Sequence, residues 1–208
     1  MNSAHKALFA AALLLGAALN TSSVFADKIC DYEFERGKGH LIVGNRNAGK
    51  CVALTFDDGP HKTYTPEILD ILDEYGAKAT FFIVGRNAEE NPDIVLDAYR
   101  RGHEIGNHTY THPNLKNLSA EKRLEEIQKT QEILTDITGE APRLFRPPGG
   151  YVSNSIIEEL DALDCSAVLW SWRQDTRDWA CPGVDCVVSG VLKNLRDGDI
   201  ILFHDYNA

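Results

Sequence analysis

The sequence predicts an α/β fold on a parallel sheet, either an open doubly wound sheet or a (β/α) barrel, with the barrel favoured. From Cys51 onward, short apolar runs alternate with amphipathic helical stretches, a pattern that lays helices over a parallel sheet. The preference for a barrel comes from where the reactive residues fall. Asp57 and Asp58, His108, Arg146, the segment Trp170 to Asp175, and His204 each follow a predicted strand. A (β/α) barrel gathers such residues at its C-terminal rim.

The elements follow in order. Lys6, the apolar run Ala7 to Leu19 and the small residues of Val24-Phe25-Ala26 form a secretory signal, with cleavage expected after Ala26. The run is short for a membrane span, and no later segment is long enough. Residues 27–50 are polar and dotted with glycine, and read as an N-terminal extension with a short strand at Leu41-Ile42-Val43. Residues 51–208 form the single domain. Cys51 to Phe56 is a buried strand that Gly59-Pro60 terminates. Thr65-Pro66 opens a helix as N-cap and first helical residue, and Gly76 ends it. Strand Ala79 to Val84 precedes a helix opened by Asn91-Pro92 that stops near Gly102. Glu104 to Asn107 is a strand running into His108. Ser119 caps a long amphipathic helix that ends before Gly139. Then come strand Leu144-Phe145, a helix from about Asn154 to Leu163 and strand Ala167 to Trp170. A helix from Val184 to Leu195 and strand Ile200 to Phe203 complete the series.

The formal net charge is −10, and removing the signal takes away one lysine and no acid. Such a chain lacks the basic face that phosphate binding needs, which excludes nucleic acid as a partner. The five cysteines leave at least one unpaired, and a Cys181–Cys186 disulfide and free thiols are both open readings. No tight CxxC pair occurs, which argues against a cysteine-rich zinc site.

Asp58, His108 and His112 read as the ligands of one open divalent-metal site. Two imidazoles and one carboxylate leave a Zn²⁺-type ion a position for water, as in a catalytic rather than a structural site. Histidines four apart share a face if their segment makes a helical turn, which Pro113 would stop at His112. Asp57 remains beside the metal, able to take a proton. Taken alone, an Asp-Asp pair is commonly a turn signal and an HxxxH pair a surface feature. Arg146 in Arg146-Pro147-Pro148-Gly149-Gly150 can orient a carboxylate through a forked hydrogen bond. The same stiff turn can present a backbone N–H to an oxyanion. Indoles and charges crowd Trp170 to Trp179, a composition suited to stacking on sugar faces.

The segments TFDDG at 55–59, HTYTH at 108–112, RPPGG at 146–150, DTRDW at 175–179 and LFH at 202–204, in this order, resemble the motifs of the polysaccharide deacetylases of carbohydrate esterase family 4, the NodB-homology domain. The resemblance runs from about Val52 to Asp205. It implies a distorted (β/α) barrel and a secreted or cell-envelope enzyme that removes N-acetyl groups from N-acetylglucosamine polymers such as peptidoglycan or chitin. By resemblance, Asp58, His108 and His112 hold the metal, zinc in the first place, with Co²⁺ or another divalent ion as substitute. Asp57 is the base that takes a proton from the attacking water, and Arg146 tethers it. His204 is the acid that protonates the leaving amine, and Asp175 orients it. The backbone N–H of Gly149 meets the oxyanion, Trp179 and Leu202 wall the acetyl pocket, and Tyr151 takes over a substrate contact. The family often carries a large side chain where this chain has Gly149. It also continues with a helix and a strand beyond the point where this sequence ends, so a truncated barrel with one exposed sheet flank is expected. Competing readings are an O-deacetylase of acetylated xylan, an amidase for small cyclic amides, and a non-catalytic carbohydrate-binding protein on the same scaffold.

Overall fold

The computed structural model describes residues 41–206. The expected signal peptide, most of the N-terminal extension and Cys30 lie outside the described residues.

Seven parallel strands form one sheet: β1 (Leu41–Ile42), β2 (Ala53–Asp57), β3 (Thr80–Ile83), β4 (Glu104–Asn107), β5 (Leu144–Phe145), β6 (Ser166–Val168) and β7 (Ile200–His204), in the spatial order β1-β6-β5-β4-β3-β2-β7. Among the described residues six α-helices accompany them: α1 (Tyr64–Glu74), α2 (Gly85–Glu90), α3 (Pro92–Arg100), α4 (Ala120–Thr138), α5 (Asn154–Asp161) and α6 (Val184–Asn194). β1 lies within the segment read as an extension, yet it pairs with β6 and belongs to the sheet.

The two-residue period of the strands sorts their side chains. Leu54, Phe56, Phe81, Ile83, Ile201 and Phe203 join a buried cluster with Ile68, Leu69 and Leu72 of α1 and Val187 and Val191 of α6. Phe56 stacks between Phe81 and Phe203, with centroids 5.2 and 5.6 Å away. Each such buried side chain contributes roughly 1.5–3 kcal/mol, so β2 is anchored on its helix face from both neighbouring strands. The alternate residues, with Ile42, Phe82, Leu144, Val168 and Ile200, fill a second cluster inside the curl. At the C-terminal end of that inner face the apolar residues give way to Asp57 and His204.

The sheet curls into a distorted barrel, as the sequence predicts. The flank of β7, expected to be bare, is partnered among the described residues by the segment that follows β6. Ser171 N–H donates to Ile200 O, Leu202 N–H donates to Gln174 O, and Asp175 bridges Leu202 in parallel. Ser171 Oγ also reaches Val43 O, so this strip ties the end of β1 to β7.

The structure corrects several local expectations. Thr65 is not the N-cap of α1; that position is Thr63, and Thr65 is buried within the first turn with its hydroxyl donating to Asp205. A helix at Gly85–Glu90, α2, fills the stretch between the expected strand and the helix opened by Asn91-Pro92, where no element is predicted. Of the two open readings for Cys181 and Cys186, the structure has the free thiols. The Ser119 cap and the left-handed Gly139 terminus of α4 are as predicted.

Candidate active site

β2 delivers Asp57 to the rim, beside His204 of β7 in register. Asp58 then turns away at φ +77°, and Val84 N–H holds the turn by donating to Gly59 O at 2.9 Å. The Asp58 carbonyl accepts from Asn87 Nδ2 at 2.8 Å, so α2, missed in the sequence, supports this turn. β4 delivers His108, whose N–H donates to Ile83 O. The HTYTH segment is not helical, contrary to the expected turn. Thr109 and His112 take positive φ values of 66° and 57°, and this loop, rather than a helix face, brings the histidines together with ring centroids 5.0 Å apart.

One ligand atom each from Asp58, His108 and His112 falls within a span of 4.8 Å. Asp58 Oδ1 lies 3.4 Å from His108 Nε2 and 3.2 Å from His112 Nε2. His108 Nδ1 lies 2.6 Å from Arg146 O, and because a carbonyl only accepts, this nitrogen carries the proton. Nε2 of His108 therefore presents a lone pair. Asp58 Oδ1 is buried without a hydrogen-bond partner. Acceptors converging without a proton between them fit a cation, and the carbonyl that fixes the His108 tautomer is the outer contact a metal-binding histidine requires. Burial above all holds His112 below the usual imidazole range, which keeps it neutral and able to ligate. Burial opposes ionisation of Asp58, but the neighbouring histidines outweigh it and its carboxyl titrates below the usual range.

Arg146 is fully buried. Its Nη1 donates to Asp57 Oδ1 at 2.7 Å and to Thr55 Oγ1 at 2.8 Å, while Nε and Nη2 donate to Val168 O and Leu169 O. The guanidinium also lies 4.1 Å from the Phe82 ring centroid. Its charge is thus matched by one carboxylate and three neutral oxygens, and Asp57 is held by one oxygen. The other, Oδ2, stands 3.8 Å from His108 Nε2 and faces the metal set.

His204 is oriented by Asp178, not by Asp175. Asp178 Oδ1 accepts from His204 Nδ1 at 2.7 Å, and its Oδ2 accepts the His204 backbone N–H at 2.8 Å. Asp175 belongs to the extended strip along β7, where its exposed carboxylate accepts Arg177 N–H. Arg177 then turns the chain back at φ +50°, which carries Asp178 to the His204 imidazole. Burial lowers the His204 pKa, but the Asp178 hydrogen bond and charge, followed by Asp57 and Asp58, push it up to about 9. The imidazole is therefore cationic at neutral pH, with Nδ1–H committed to Asp178 and Nε2–H left to donate.

The remaining predicted residues lie in the segments that carry Arg146, Asp178 and His204. Gly149 lies at φ +65° in the turn after Arg146, and a Cβ there would meet nothing within 4 Å. Gly150 packs against Trp170, whose ring a Cβ would meet at 2.8 Å. Tyr151 and Trp179 are exposed, and Leu202 is buried on β7 two residues before His204.

The family model for polysaccharide deacetylase matches residues 44–168. The chain belongs to the polysaccharide deacetylase family. It is 46% identical to a peptidoglycan-N-acetylglucosamine deacetylase of Bacillus cereus, over 80% of this chain and 78% of that protein. It is 41% identical to a chitooligosaccharide deacetylase of Azorhizobium caulinodans, over 81% of this chain and 79% of that one. Among solved structures, the Bc1960 peptidoglycan N-acetylglucosamine deacetylase superposes with a TM-score of 0.76 at 40% identity, covering 81% of this chain and 77% of that one.

Proposed function

We propose that this chain is a metal-dependent N-deacetylase that releases acetate from N-acetylglucosamine residues of peptidoglycan or chitin-type polysaccharide, outside the cytoplasm after its signal is cleaved. The observation that carries this reading is the open set Asp58, His108 and His112 beside two proton-moving groups, each already oriented by a buried partner. The names of the peptidoglycan and chitooligosaccharide deacetylases above support the substrate class. No helix among the described residues is long and apolar enough to cross a membrane.

Asp58, His108 and His112 would hold the ion, Zn²⁺ in the first place. When bound, it supplies Lewis acidity toward the acetamide carbonyl and acidifies the attacking water. Asp57 Oδ2 accepts the proton of that water as its oxygen adds to the carbonyl carbon. Arg146 fixes the rotamer of Asp57 through the Nη1–Oδ1 hydrogen bond. The backbone N–H of Gly149 would meet the developing oxyanion. His204 Nε2–H then protonates the amide nitrogen as the C–N bond breaks, so that one amide and one water give one amine and one acetate. Asp178 stabilises the imidazolium before this transfer and holds the ring afterwards. Trp179 and Leu202 wall the acetyl group, and Tyr151 meets the sugar. An amide requires such a proton donor because an amine anion is a poor leaving group, and His204 held cationic favours the N-deacetylase over the O-deacetylase reading.

The test is acetate release from chitooligosaccharides, peptidoglycan and acetylxylan, by chelator-stripped protein and after adding Zn²⁺ or Co²⁺. Metal-restored turnover of N-acetylated glycans is expected. Full activity in the stripped protein, or turnover of acetylxylan alone, would overturn the proposal.

A further inference from the structure

The two histidines are four residues apart on a loop that no helix shapes, and the loop bears two non-glycine residues in the left-handed region. L-residues rarely adopt that region, so the conformation persists only where its surroundings dictate it. The peptide between the ligands is held from two sides. On one side Gly85 and Arg86, at the start of α2, donate their N–H groups to Thr109 O and Tyr110 O at 2.9 and 3.1 Å. On the other side stands a single carboxylate. Glu126 of α4 accepts Tyr110 N–H at 2.9 Å and Thr111 N–H at 2.7 Å on Oε2, and the Thr111 hydroxyl at 2.7 Å on Oε1.

We infer that Glu126 is a positioning residue for the metal site, setting the separation and aim of His108 and His112 without touching the ion. Three donors on one carboxylate fix the loop laterally and in rotation, because two come from consecutive peptide units and one from a side chain. The helix beneath is itself anchored. Asn107 Nδ2 donates to Ile127 O and to Gln131 Oε1, and Asn107 Oδ1 accepts Thr109 N–H. Residues just before and within the loop are therefore bonded to one stretch of α4. Lys129 lies 3.4 Å from the Tyr110 ring centroid, and Tyr110 Oη donates to Glu89, which secures the outer face of the same loop. Glu126 is the one member of this set whose charge acts on two of the peptide N–H groups between the ligands, those of Tyr110 and Thr111. Outer contacts of this kind are worth about 10–100-fold in metal affinity.

This inference rests on the metal reading proposed above. The experiment measures Zn²⁺ and Co²⁺ dissociation constants by chelator competition on the metal-free chain, together with the visible absorption of the Co²⁺ form and the thermal midpoint of the metal-free protein. Glu126→Ala is expected to weaken both ions about 10–100-fold and to alter the Co²⁺ spectrum. Glu126→Gln, which keeps the shape and one acceptor oxygen, is expected to fall between Ala and the parent. Glu125→Ala, an exposed neighbour on the same helix, is expected to match the parent. Should Glu126→Ala fail to fold, the Gln variant decides by the same constants. Parental affinity and an unchanged Co²⁺ spectrum in a folded Glu126 variant would overturn the inference alone. No uptake of either ion by the parent would overturn the metal reading and this inference with it.

Discussion

Replacing Asp178 by Asn isolates what one carboxylate does to the acid. Asp178 accepts both the ring Nδ1–H and the backbone N–H of His204, and Asn keeps the volume and one acceptor while removing the charge. Burial acts on His204 in the downward direction, and most of the opposing push comes from Asp178. Without that charge the imidazole is expected to titrate at or below its ordinary 6.5, against about 9 in the parent. A difference of roughly two units or more corresponds to about 3 kcal/mol. At pH 8 the cationic fraction falls from about 90% to about 3% on those values, which removes most of the general acid. The assay is an NMR titration of the His204 ring in metal-free protein, followed by kcat/KM against pH in the loaded enzyme. A bound dication lowers both midpoints, but the variant's alkaline limb still lies at lower pH. A variant midpoint within about half a unit of the parent's would refute the reasoning. So would a large shift in Asp175→Asn, whose exposed side chain is expected to leave the midpoint alone.

Asp57→Asn is expected to retain the metal and lose about 10²–10⁴-fold in turnover, since Asn cannot accept the proton; acetate release with metal content measured in parallel checks this. Gly59→Ala would place a Cβ 2.3 Å from Asp205 Oδ2 and 2.6 Å from its Cγ, atoms on a short side chain pinned to Thr65. We expect a loss of about 1–3 kcal/mol in stability, and an unchanged denaturant midpoint would contradict it. Burial, only partly offset by the Thr65 hydrogen bond, raises the Asp205 pKa to about 7. The folded state therefore holds a proton that the unfolded chain releases near 3.8, and stability is lost as pH rises from about 3.8 towards 7. Asp205→Asn, which resembles the neutral acid, should flatten that loss between pH 4 and 7, and equal slopes of thermal midpoint against pH would count against it.

Much of this architecture is legible in the residues because strand and helix signals agree. Glu104–Asn107, Leu144–Phe145 and the start of α6 at Val184 fall where apolar period and flanking turn residues put them. The metal set is legible because its residue types are rare in combination. What escaped the sequence depends on direction. Asp175 and Asp178 are three residues apart in one motif, and only the strip along β7, followed by a left-handed Arg177, decides which reaches His204. The adjacency of Asp178 to Trp179 was the one available signal. Thr65 resembles an N-cap by type, but its hydroxyl serves Asp205, far away in sequence. The helix α2 was hidden because it is only six residues long and follows β3 without a turn residue. The non-helical path of HTYTH is dictated by Glu126 and α2, and no property of the five residues themselves encodes it.

The pairing of β2 with β7 has a temporal consequence. These strands sit side by side, yet β3, β4, β5 and β6 lie between them in the sequence. A chain emerging from its N-terminus exposes the proposed base and metal ligands before the arginine that tethers the base, and the proposed acid after them. Until β7 docks, Phe56 lacks one of its two aromatic neighbours and the base has no proton donor beside it. Closure over so long a separation in sequence is the slow kind of contact to form. On the proposed roles, hydrolysis would begin only once β7 is seated on β2, so the onset of turnover during refolding would report that pairing.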